Sequence, residues 1–211
     1  MIPIRDENYS RKRPWFRNFL ILANIAIFVY MFIFSPGIVV DQFGFIGAKF
    51  LDEPMTNLYR FVSYQFIHGG LGHLLGNLWF LYIFGDNVEA KTGHFAFLFF
   101  YLFCGVISAI VQIALVPSLH VPLIGASGSI AGVLGAYAIY FPRAKIITWI
   151  PLGFVGYTAR LPAFFFLFIW FAYQFILGSA SSGAHASVTG VAWWAHVGGF
   201  VFGLLFGIKF R

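Results

Sequence analysis

Charge is what this sequence most lacks. Only 9% of its 211 residues are Asp, Glu, Lys or Arg, where a water-soluble domain carries about 25%. A mean hydropathy of +0.85 and 60% hydrophobic residues leave too little polar surface to cover a globule in water, so lipid must be the solvent. Cysteine is nearly absent as well. The single Cys104 cannot pair within the chain, which excludes a disulfide-stapled secreted scaffold. No His-Glu-x-x-His is present, so a zinc metalloprotease lacks its ligands. Asp86, at the end of its apolar run, has no partner aspartate in the membrane, which removes an aspartic protease. The sequence calls for no metal and no cofactor, and it contains neither a repeat nor a low-complexity tract.

What is abundant is apolar length. Continuous apolar stretches lie near 15–35, 66–85, 94–116, 125–141, 161–178 and 189–208, each bounded by Pro, Gly or charge. At about 20 residues per span these predict an all-α membrane protein, a bundle of six transmembrane helices. The first stretch follows Arg11, Lys12, Arg13 and Arg17, the layout of a signal peptide. It exceeds the ~7–15 residues of a signal core, and Ser35-Pro36-Gly37 is no small-x-small cleavage site, so an uncleaved helix is expected.

Direction follows from the bases. With the N-terminus inside, the inner segments collect Arg5, Arg11, Lys12, Arg13, Arg17, Lys91, Arg143, Lys145, Arg160, Lys209 and Arg211; only Lys49 and Arg60 fall outside. The positive-inside rule then predicts both termini in the cytoplasm. The expected division is a cytoplasmic N-terminal segment 1–14, a membrane domain 15–208 with a long first outer loop at 36–65, and a cytoplasmic tail 209–211. The apolar Phe43, Phe45, Ile46, Phe50 and Leu51 predict that this loop is structured and lies partly in the membrane interface. The pI of about 9.6 is explained by membrane anchors, and with no basic stripe or RNA-binding motif, nucleic acid is excluded as a partner. The partner is the lipid bilayer. With neither a soluble module nor a transit-like leader, a prokaryotic plasma membrane is expected. Oligomeric state is not legible.

Polar side chains inside spans are few, and ionisable ones default to function. The even-numbered spans run from outside to inside, so their N-terminal parts lie in the outer leaflet. His73 and Asn77 of the second span, Ser127 of the fourth and His196 of the sixth all occupy that part. Each sits within about 10 Å of its helix start. Structural residues taken singly have no reason to share one depth, so the group is read as a constellation. Asn24, Gln112, Gln174 and Cys104 are read as structural, and the Phe-rich fifth span, with Phe164, Phe165, Phe166, Phe168, Trp170 and Phe171, as lipid-facing.

Glycine indicates which helices meet. Gly125, Gly128, Gly132 and Gly135 form a small-residue face on the fourth span, and Gly199, Gly203 and Gly207 repeat the small-xxx-small spacing on the sixth. Their close approach would bring Ser127 to His196, and a serine beside a neutral imidazole is an activated nucleophile. His73 and Asn77, four apart, share a helix face. With a backbone N–H at the start of the fourth helix they can hold an oxyanion. No aspartate is placed to orient His196, so a Ser-His dyad is what remains. Ser129 is a competing nucleophile that points about 200° away from Ser127.

Gly125-Ala126-Ser127-Gly128, Ala195-His196-Val197-Gly198-Gly199 and the run from His68 through His73 to Asn77 together resemble the rhomboid family of intramembrane serine proteases. The resemblance extends to Gly85-Asp86-Asn87-Val88-Glu89 and to Tyr59-Arg60 in the first outer loop, and it covers nearly the whole chain. It implies Ser127 as nucleophile, His196 as general base, and an oxyanion hole of His73, Asn77 and the Ser127 backbone. It also implies an outward-opening cavity and single-span membrane proteins as substrates, entering near the second and fifth helices. Arg60 and Glu89 would be structural, as would Gly125, Gly128 and Gly199 beside the site. Two positions depart from the family pattern. Ala131 stands where some members carry a Tyr stacked on the histidine, leaving Trp193, Trp194 and Tyr173 to orient His196; and Tyr59-Arg60 replaces the more usual Trp-Arg. The segment from Gly178 to Thr189, rich in Ser, Gly and Ala, is expected to act as a mobile cap. A catalytically silent relative that binds membrane clients is the alternative. A small transporter is disfavoured, since the inner halves of the spans carry almost nothing ionisable.

Overall fold

The computed structural model of the protein describes residues 1–8, 10, 12–116, 120–153, 155–181 and 191–211. Arg11 and residues 182–189 of the expected cap lie outside the described residues. The elements run β1 (Ile2–Asp6), α1 (Trp15–Phe34), α2 (Pro36–Phe43), α3 (Gly47–Asp52), α4 (Pro54–Asn57), α5 (Arg60–Ser63), α6 (Leu71–Thr92), α7 (His94–Leu115), α8 (Ser127–Tyr140), β2 (Lys145–Leu152), β3 (Val155–Pro162), α9 (Ala163–Ser181) and α10 (Trp193–Lys209). Six helices of 14 to 22 residues make up most of the fold. Among the described residues three of them, α1, α7 and α9, are long and apolar enough to cross a membrane by length and composition.

The α8 helix is the hub. Every residue from Gly128 to Tyr137 is buried, and α6, α7, α9 and α10 all pack against it. Its closest neighbour is α10, where backbone meets backbone. A Cβ on Gly199 would overlap the Gly128 carbonyl, and one on Gly203 would overlap the Gly132 carbonyl. Neither obstacle is a flexible side chain, so a larger residue must push the helices apart. Gly203→Val should lower the thermal midpoint in detergent by the equivalent of about 1–3 kcal/mol or more. Gly37→Ala, where nothing lies within 4 Å, serves as the control and should not lower it.

The α6–α7 connection is a single glycine, Gly93, at φ +90°. There Glu89, with its side chain wholly buried, reaches across to α1. Its oxygens accept the backbone N–H groups of Phe16 (3.0 Å) and Arg17 (2.8 Å), and His94 Nδ1 lies 2.5 Å away. These are first-turn donors with no intrahelical acceptor, so α6 caps α1 at its positive dipole end.

The expectation of an all-α molecule is corrected: β1, β2 and β3 form a three-stranded antiparallel sheet in that order. The β-branched Ile146, Ile147, Thr148 and Ile150, followed by Pro151 and Gly153 at φ +63°, favour a hairpin, and the N-terminal segment adds its edge. That strand also grips α6. Trp79 Nε1 donates to the Pro3 carbonyl at 2.6 Å, and Asn87 Nδ2 and the Tyr137 hydroxyl both donate to Asp6 Oδ2 at 2.7 Å. Burial pushes the Asp6 carboxyl up from 3.8 to about 6, opposed by the Tyr137 hydrogen bond and reinforced by Asp86. Between those values the docked strand holds a proton that the free strand releases. Docking is therefore strongest at low pH and weakens as pH rises to about 6. Backbone amides of β1 should show more protection from hydrogen exchange at pH 4 than at pH 7, after correction for intrinsic rates. Asp6→Asn should remove the difference.

The Phe-rich helix α9 departs from a purely lipid-facing one. Phe164, Phe165 and Phe168 are exposed, but Phe166 and Leu167 are buried, with Phe166 stacked near Phe84 of α6 at 6.2 Å.

Candidate active site

The segment between α1 and α6 sets the entry to α8. Arg60, itself buried, donates through Nη1 to the carbonyls of Asp41 and Gly44, both at 2.7 Å. Tyr59 and Ser63 hold the Gln42 and Phe43 carbonyls beside them. Fixed in this way, Phe45 makes a two-way backbone bridge to Leu123, and the Gly125 N–H donates to the Tyr64 carbonyl at 3.0 Å. The chain then turns into α8 at Gly125, whose φ of +111° is open to glycine. A Cβ there would also strike the His73 imidazole. Ser127 follows as the first residue of α8, so its N–H has no intrahelical acceptor.

One cavity of about 560 Å³ gathers polar residues from α6, α7, α8, α9 and α10: His73, Asn77, Gln112, Ser127, Gln174 and His196 all line it. At its centre Ser127 Oγ lies 2.7 Å from His196 Nε2. The other ring nitrogen, Nδ1, lies 2.7 Å from Gln174 Oε1. Asn77 Nδ2 is buried with no hydrogen-bond partner among the described residues. His73 and Asn77 stand on α6, opposite the start of α8, with Gly125 packed against both side chains. The arrangement can polarise a hydroxyl, and it sets unpaired N–H groups beside it where negative charge would develop.

Ser129 is not part of this cluster. Its hydroxyl is fully buried and donates to Gln65 Oε1 at 2.8 Å, on the far side of α8. Of the three residues expected to orient His196, Trp193 reaches it, edge-on with centroids 6.1 Å apart. Tyr173 packs on Trp193, and Trp194 on Phe175. Two contacts on the imidazole have no counterpart in the sequence reading, Gln174 at Nδ1 and Trp170 with its ring 6.1 Å away at a 36° tilt. Gln112, also read there as structural, accepts the Ala195 N–H at 2.9 Å and so steadies the start of α10. Depth would have found both amides. Odd-numbered helices run the other way, so their C-terminal halves share the level of Ser127. Among the described residues no group of three or more His, Cys, Asp or Glu could hold a metal ion.

The family model for the Rhomboid domain matches residues 55–211. Among curated proteins, the chain is 34% identical over 128 residues to rhomboid-like protein 11, chloroplastic, of Arabidopsis thaliana, a stretch covering 61% of this chain and 43% of that one. It is 28% identical over 131 residues to mouse rhomboid-related protein 2, covering 59% and 42% respectively. It is 31% identical over 157 residues to rhomboid-related protein 1 of Caenorhabditis elegans, covering 71% and 39%. The aligned stretches therefore span about two fifths of these relatives' own length. All three relatives are eukaryotic, so the likeness lends nothing to the expectation of a prokaryotic inner membrane.

Proposed function

The chain belongs to the rhomboid family, and from that premise we propose that it is an intramembrane serine endopeptidase that cuts single-span membrane proteins in or beside their transmembrane segments. The observation that carries the reading is the 2.7 Å contact between Ser127 Oγ and His196 Nε2 inside a cavity lined by further hydrogen-bonding groups.

In this reading His196 Nε2 takes the Ser127 proton as Oγ attacks the scissile carbonyl. The oxyanion settles between His73, Asn77 Nδ2 and the Ser127 N–H, and His196 returns the proton to the leaving amine. Water from the cavity, deprotonated by the same imidazole, then hydrolyses the acyl-enzyme and restores the serine. A helical substrate shields its peptide bonds by its own hydrogen bonding, so it must unwind locally before it is cut.

Six membrane-crossing helices with both termini cytoplasmic complete the reading, supported by the placement of the basic residues. At 14 residues, α8 is about 21 Å long, short of the ~30 Å hydrocarbon core. With Tyr140 at the inner interface, Ser127 lies about 10 Å below the outer one, reached by water through the cavity.

A fluorophosphonate probe on the purified protein tests this cheaply. Labelling should require both Ser127 and His196. No labelling of the wild-type protein would favour the catalytically silent, client-binding alternative.

A further inference from the structure

A neutral imidazole has one N–H and one lone pair, so fixing the proton on one nitrogen fixes the lone pair on the other. To act as a base toward Ser127, His196 must keep its lone pair at Nε2. In a serine hydrolase a buried aspartate commonly performs this task, but an ionised carboxylate deep in a membrane is costly, and among the described residues no Asp or Glu lines this cavity. The contact at Nδ1 is instead the Gln174 carboxamide oxygen, at 2.7 Å and only 6% exposed. That oxygen accepts and cannot donate, so Nδ1 must carry the hydrogen of this bond. The lone pair is thereby directed from Nε2 to Ser127 Oγ.

We propose that Gln174 is the positioning residue of the site, completing a Ser127–His196–Gln174 relay in which a neutral amide fixes the imidazole tautomer without burying a charge. The inference deepens the serine-protease reading and rests on it for its catalytic meaning. Trp170 belongs to the same device. It lies one turn before Gln174 on the same face of α9, its ring beside His196 at 6.1 Å and beside Phe200 at 6.0 Å. The indole restrains the ring plane while the amide fixes its proton. Ala131, fully buried on α8, is too small to supply either. Because Ser127, His196 and Gln174 stand on three different helices, the base is aligned only while α9 is docked against α8 and α10.

The test separates hydrogen bonding from volume. In the full protein, ¹⁵N-labelled at histidine and reconstituted in lipid, the wild-type His196 ring should give the ¹⁵N shifts of the Nδ1–H tautomer. A wild-type ring protonated at Nε2 overturns the proposal without recourse to any variant. Gln174→Met keeps the volume but removes the acceptor. It should lose the tautomer preference and slow fluorophosphonate labelling of Ser127 by at least about tenfold. Gln174→Glu keeps an acceptor in place and should retain both far better. Unchanged tautomer and unchanged labelling in folded Gln174→Met overturn the proposal. A tautomer that depends on Gln174 in a wild-type protein that never labels would uphold the positioning and remove the protease reading, so the two failures are distinguishable.

Discussion

Replacing Ser127 by alanine should abolish cleavage of a single-span reporter, a loss of about 10⁴-fold or more in turnover, while Ser129→Ala should leave turnover near that of the wild type. The two serines are two residues apart, and their partners explain the contrast. Ser127 Oγ faces His196 across the cavity, whereas Ser129 is sealed in the protein and satisfies Gln65. Removing the Ser129 hydroxyl leaves Gln65 Oε1 without that donor and should cost about 1 kcal/mol of stability, with the chemistry intact. His196→Ala should behave as Ser127→Ala does, since neither half of the dyad works alone. Turnover measured with purified variants in the same lipid decides the matter. Cleavage that survives Ser127→Ala but not Ser129→Ala would reverse the assignment.

The second large effect concerns the developing negative charge. Asn77→Ala and His73→Ala should each lower kcat by about 10²–10³-fold, the effect of one lost oxyanion donor, with little change in KM. The unpartnered Asn77 amide supports this expectation, because a buried donor left without an acceptor costs free energy in the resting protein and regains it only when an anion arrives. A change confined to KM would mean that these groups bind substrate and do not stabilise the transition state.

The helices are legible because long apolar runs favour helix: each of the six apolar stretches overlaps a helix of 14 to 22 residues, and among the described residues three of these are long and apolar enough to cross a membrane. Their ends are less so. The α6 helix begins at Leu71 and not at 66, since residues 64–66 form a tight 3₁₀ turn and Gly69-Gly70 follow. The sheet is hidden from a reading that treats 142–160 as an inner connection, although the β-branched run from Ile146 to Ile150 carries its signal. Shared depth on the even-numbered helices picks out His73, Asn77, Ser127 and His196, which the structure gathers around one cavity. Gln112 and Gln174 are missed because the depth argument is applied only to the even-numbered spans; carried to the C-terminal halves of the third and fifth apolar stretches it reaches both. Trp170 escapes it because one aromatic in a Phe-rich helix has no distinguishing pattern. Nothing in the sequence says which face of α9 turns inward; the pairing of Phe166 with Phe84 settles that only in three dimensions.

The most direct test of intramembrane serine proteolysis is intact-mass spectrometry of a single-span reporter incubated with the purified protein in liposomes. The account predicts two fragments whose masses place the cut within or at the border of the reporter's membrane segment, formed by the wild type and absent with Ser127→Ala. A reporter that is bound by the wild-type protein but recovered at its full mass would contradict it.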